Sequence, residues 1–136
     1  MKKILSIIVC MVVLVGCVPI HSFATEKVVP YDNNTLSTYS VFNIDDNGTA
    51  SIFAEYVGYI GITTGATIKT KIEKRFLLVF WNEVASWTDE VVGDYYSNTH
   101  STTVKKGTYR ATVEYTIRGT GGEPDVIVDE YEYTYE

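Results

Sequence analysis

The chain predicts an all-β fold, a single antiparallel β-sandwich of about seven strands. Three observations carry this. Between Tyr109 and Arg118 apolar and polar residues alternate without a break, Tyr109, Ala111, Val113, Tyr115 and Ile117 on one side and Arg110 to Arg118 on the other. Strand side chains point to opposite faces in turn, so this segment has one dry and one wet face. Eleven tyrosines, with many Val, Ile and Thr, favour strands over helices. Short segments of this kind are separated by turn signals, with little helical patterning and no internal repeat.

The N-terminus is set apart. Lys2 and Lys3 precede an uncharged run from Ile4 to Val15, apolar except for Ser6. About 12 residues is short of the roughly 20 that span a bilayer. Pro19 and Ser22-Phe23-Ala24 follow, and the whole reads as a secretory signal peptide over residues 1–24. Leu14-Val15-Gly16-Cys17 also has the form of a lipobox. Export with release after Ala24, and retention as a cell-surface lipoprotein anchored at Cys17, are both open readings.

Without residues 1–24, 112 of the 136 residues remain, enough for one domain and one core. Both cysteines, Cys10 and Cys17, go with the removed part. The remainder has no disulfide, thiol nucleophile or cysteine-bound metal. It keeps all 17 acidic residues but nine of the 11 basic ones, a formal charge of −8. Such a surface repels phosphate backbones and anionic headgroups, so nucleic acid is not an expected partner. No membrane span is expected in the mature form.

Residues 25–36 read as a flexible lead and 37–136 as the sandwich domain. The first strand is expected over Ser37 to Ile44 and the second over Thr49 to Tyr59. Between them Asp45-Asp46-Asn47-Gly48 marks a tight turn, because Asn-Gly accepts positive φ. A third strand follows Thr63-Thr64-Gly65, with Ala66, Ile68, Thr70 and Ile72 alternating against charged residues. Phe76 to Trp81 is apolar without a turn residue. A turn near Lys74 to Leu77 is expected there, then a strand through Trp81, Glu83, Ala85 and Trp87. A short helix over 82–87 is the alternative. Tyr95 to Thr99 reads as a polar aromatic loop. Ser101 to Arg118 reads as strand, tight turn at Lys105-Lys106-Gly107, strand. Gly119 to Pro124 is a loop, and Val126 to Tyr135 the last strand.

Gly107-Thr108-Tyr109-Arg110-Ala111 resembles the Gly-x-Tyr-x-Cys corner of immunoglobulin-like domains, with Ala111 in place of the cysteine. The resemblance implies an immunoglobulin-like sandwich in which Tyr109 hydrogen-bonds back across a corner. A broader likeness runs through Tyr39-Ser40, Asn47-Gly48, Gly65-Ala66-Thr67, Trp81-x-x-Val84-x-x-Trp87, Tyr96 to His100, and Gly121-Gly122. In this order the motifs are similar to small secreted proteins of Gram-positive bacteria. That family brings no activity and no functional residues with it.

No catalytic constellation is expected. His100 is the one histidine after residue 24, and Asp94, Ser97 and Ser101 are near it in sequence only. Glu83, Asp89, Glu90 and Asp94 cluster, but a small sandwich offers little material for a cleft between carboxylates. Asp45, Asp46, Asp125 and Asp129 are the oxygen ligands a calcium ion would use, though they lack EF-hand spacing and no cofactor or metal is expected. Tyr95, Tyr96, Tyr131, Tyr133 and Tyr135 are the candidate ligand platform, flat rings with a hydroxyl that suit a sugar or a protein. Tyrosines packed within the sheets are the other reading. The expected function is a secreted, non-enzymatic binding or interaction module engaging an extracellular protein. A carbohydrate-binding module using exposed tyrosines or tryptophans, with a glycan partner, is the alternative.

Overall fold

A computed structural model of the protein describes residues 32–136. The expected signal peptide, its cleavage site and Cys17 lie outside the described residues. Seven strands form: β1 (Thr35–Ile44), β2 (Thr49–Gly58), β3 (Thr63–Phe76), β4 (Phe80–Val92), β5 (Tyr95–Thr103), β6 (Gly107–Gly119) and β7 (Asp125–Tyr135). All neighbours are antiparallel. One sheet has the order β1-β2-β5 and the other β4-β3-β6-β7. Among the described residues no helix is long and apolar enough to cross a membrane.

The alternation of β6 builds the core. Tyr109, Ala111, Val113, Tyr115 and Ile117 are all buried. They meet Ile68 and Ile72 of β3 on one side and Ile52 and Tyr56 of β2 across the sandwich. Each large apolar side chain hidden this way contributes roughly 1.5–3 kcal/mol. The Tyr115 hydroxyl donates to the Tyr39 carbonyl at 3.1 Å, tying β6 to the opposite sheet.

Ser101 to Arg118 is not a hairpin. β5 pairs with β2 in one sheet, and β6 pairs with β3 and β7 in the other. The connection crosses between sheets because Val104 is buried between them and its amide donates to the Gly48 carbonyl at 2.7 Å. The Tyr109 hydroxyl donates to the Lys105 carbonyl and closes the corner. Tyr95 to Thr99, read as a loop, is the first half of β5.

The turn between β3 and β4 falls at Leu77 to Val79, later than expected, and residues 82–87 are strand rather than helix. Ile72 pairs with Ala85 but Glu73 pairs with Glu83, so Val84 is an extra residue in β4. This bulge changes which face the strand presents. Ala85, Trp87, Asp89 and Val91 are on the inner side, and Trp81 and Glu83 on the outer.

The chain enters at the end of the sandwich remote from that turn. Asp125 is buried and accepts from the Asn33 amide (3.0 Å), the Asn34 amide (2.7 Å) and the Thr35 hydroxyl (2.8 Å). Asn34 in turn accepts from the Gly121 amide at 3.1 Å and donates to the Glu123 carbonyl at 2.9 Å. A Cβ on Gly121 would lie 2.2 Å from the Asn33 carbonyl oxygen, so only glycine lets the loop close here. The first strand therefore opens at Thr35, two residues before the periodicity suggests, held by a partner about ninety positions away.

Candidate functional site

The β3–β4 hairpin runs past the last pairing of β3 with β6, Lys74 with Tyr109, and closes at Phe76 opposite Phe80. Phe76, Leu77, Leu78, Val79 and Phe80 are between 53 % and 84 % exposed. Strand alternation places consecutive side chains on both faces, so the whole tip is apolar. Leu77 and Leu78 have φ of 49° and 67°, the only non-glycine residues with positive φ among those described. That conformation crowds Cβ against the backbone and costs on the order of 1 kcal/mol per residue. The β1–β2 turn makes the conventional choice, with Gly48 at φ 77°.

Behind the tip lies a collar of cations and one tryptophan. The Arg75 and Arg110 guanidinium carbons sit 4.9 Å and 4.5 Å from the centre of the Trp81 ring. Arg75 binds Glu132 at 2.6 Å. Arg110 binds Glu73 through two nitrogens at 3.0 Å and 2.7 Å, and Lys71 reaches the same carboxylate at 3.2 Å. Burial is the largest influence on Glu73 and pushes its pKa up. The hydrogen bonds and charges of Arg110 and Lys71 together overcome it, leaving the carboxyl below its usual range. Lys74 lies 5.5 Å from the Tyr109 ring centre and donates to the Lys106 carbonyl at 2.9 Å.

Charge is unevenly divided along the strands. From the row of Lys71 to the tip, the described residues hold six of eight basic and seven of sixteen acidic side chains, a net of −1. The other half holds two and nine, a net of −7.

A second cluster closes one open side of the sandwich, between β4 and β5. Trp87 stacks on His100, with centroids 4.9 Å apart and planes 8° from parallel. Asp89 Oδ2 lies 2.6 Å from His100 Nε2 and accepts from the Tyr96 hydroxyl at 2.6 Å. Burial pushes the Asp89 pKa up most, but the His100 and Tyr96 hydrogen bonds and the His100 charge bring it below its ordinary value. Tyr96 is held well above its own, by burial first and then by Asp89. Among the described residues the imidazole's polar neighbours are Asp89 and Asn98. Ser101 pairs with Ser51 on the outer face, away from His100.

The five candidate tyrosines do not share a surface. Tyr131, Tyr133 and Tyr135 pair with Ala111, Tyr109 and Gly107 and so lie on the inner side of β7, along the other open side. The Tyr131 hydroxyl donates to the Ser40 carbonyl at 2.8 Å and that of Tyr135 to the Asp46 carbonyl at 3.1 Å. Tyr133 meets Phe42 edge to face at 6.4 Å. Tyr96 stacks on Tyr56 at 6.3 Å. Tyr95 is exposed on the outer face, beside an apolar hollow of about 440 Å³ that Leu36 and Ile60 also line.

The four candidate calcium ligands are also dispersed. Asp45 caps its own turn, Asp125 holds Asn33, Asn34 and Thr35, and Asp129 accepts from Ser40. Among the described residues no group of three or more His, Cys, Asp or Glu side chains is placed to hold a metal. The sequence reading did not find the tip: no Gly, Pro or Asn marks a turn there, and an apolar run reads first as buried strand. No family model matches the chain, and no curated protein matches it.

Proposed function

We propose that this domain is an exported, immunoglobulin-like, non-enzymatic binding module that makes its contact through the β3–β4 tip. The two sheet orders, the crossover from β5 to β6 and the Tyr109 corner bond support the immunoglobulin-like reading. The observation that carries the function is the turn itself. Two exposed leucines occupy positive φ where Asn-Gly would cost less. Strain and exposed apolar surface both work against stability, and their coincidence at one protruding point is the mark of a contact site. The glycan alternative draws no support from the tyrosines, which lie on separate surfaces.

The test compares the wild type with Leu77→Asn/Leu78→Gly, a pair that suits the same turn. Retention of the labelled chain on whole cells and isolated envelopes is the readout. The variant is expected to fold and to lose retention. Undiminished retention of a folded variant would remove the tip from the binding role.

A further inference from the structure

We infer that the partner of the tip is a lipid surface bearing anionic headgroups, into whose interfacial zone Phe76 to Phe80 insert. This rests on the tip being the contact site. Three features select lipid over a protein or a second copy.

The first is shape. The tip is convex and apolar on both faces of the hairpin, so covering it requires an apolar medium on every side. A flat protein face covers one side only. A second copy meets the same limit, since two convex tips cover only one side of each other.

The second is depth. Two to three residues at about 3.3 Å each project roughly 7–10 Å, the depth to which interfacial elements enter the boundary between headgroups and acyl chains. The Phe76–Phe80 pairing satisfies the hairpin up to its turn. Only the backbone of 77–79 remains, at a level where headgroup carbonyls and water are present.

The third is the collar. Trp81 flanked by Arg75 and Arg110, with Lys74, Lys105 and Lys106 at the same end, has the composition of a membrane interface. Tryptophan rests at headgroup level. Arg75 and Arg110 are held by Glu132 and Glu73, so Lys105 and Lys106, both exposed, are the side chains that reach toward phosphate. The near-neutral half carries the tip while the other half holds the net −7. An anionic bilayer repels the far half more strongly than the near one, which turns the molecule tip-first and brings Lys105 and Lys106 to the headgroups as the local attraction.

Co-sedimentation with phosphatidylglycerol/phosphatidylcholine vesicles and with pure phosphatidylcholine vesicles tests this. The full exported chain is used throughout, so any contribution of the N-terminal segment is common to all samples. The wild type is expected to favour the anionic vesicles. Leu77→Asn/Leu78→Gly is expected to bind them about a hundredfold less or weaker still, as fits the loss of two buried leucines. Lys105→Glu/Lys106→Glu is expected to lose the anionic preference. In a Trp87→Phe background, brominated acyl chains are expected to quench Trp81. Equal vesicle binding by wild type and the leucine variant, equal binding to both lipids, or an unquenched Trp81 would each overturn the lipid assignment. If vesicles fail while envelope retention still depends on Leu77 and Leu78, the lipid assignment falls and the tip remains a protein-contact site. If neither depends on them, both readings fall.

Discussion

Trp87 of β4 and His100 of β5 face each other across the open side of the sandwich, ring planes 8° from parallel. Neither strand pairs with the other, so this stack and the Asp89 bonds beside it are what join the two edges there. His100→Ala removes the stack and leaves Asp89 with Tyr96 alone. A loss of about 1–3 kcal/mol is expected in urea unfolding. Unchanged stability would mean that the edges are held by the core behind them.

Acid should weaken the fold. Asp89 and Glu73 both have folded pKa values below their ordinary 3.8 and 4.5. A carboxyl depressed on folding stabilises above its unfolded value, and that stability is lost as pH falls through the folded one. Asp32 acts in the opposite sense. Burial first, then the Asp125 charge, raise its pKa, so its ionisation at neutral pH costs stability that acid returns. With two depressed groups, each bonded to a cation or hydrogen-bond donor, against one raised group, the net change below pH 4.5 should be a loss. Unfolding followed from pH 7 to pH 2 checks the sign, and Glu73→Gln should flatten the acid limb.

Asp125→Ala leaves the Asn33 and Asn34 amides and the Thr35 hydroxyl without their acceptor. A cost of about 2–4 kcal/mol is expected, since charged acceptors are the stronger ones and the site is buried. Hydrogen exchange at Asn33 and Asn34 should accelerate before the rest of the chain. Slow exchange retained at both amides would show that Asn34 and Gly121 hold the entry without the carboxylate.

Leu77→Asn/Leu78→Gly should raise stability by about 1–2 kcal/mol, because both positions then suit positive φ. Denaturant midpoints of wild type and variant decide it. A destabilised variant would mean that the leucines pack in the free protein and carry less strain than their φ values indicate.

What could be read from residues alone follows from what local patterning encodes. β6 was legible because it is central and dry on one face, so its alternation is complete. β5 was not: it is an edge strand beside β4, and its inward Tyr96, Asn98 and His100 are polar because they meet a half-wet seam. The alternation of Tyr131, Tyr133 and Tyr135 was plain, but tyrosine suits either face and the pattern cannot say which. Val84 is invisible as a bulge, since an extra residue exists only relative to a partner strand. The bond from Asp89 to His100 joins different sheets and has no local signature. The tip was obscured because its sequence breaks the usual chemistry of turns.

Chain entry at Asn33 and the leucines at 77 and 78 occupy opposite poles, separated by the length of β3. Fourteen residues of strand amount to roughly 45 Å. Whatever the leucines touch therefore sits a full strand length from the Asp125 clasp at chain entry. Occupying one pole does not obstruct the other, so a partner on the leucines and a change at the Asp125 clasp act on separate ends of the sandwich.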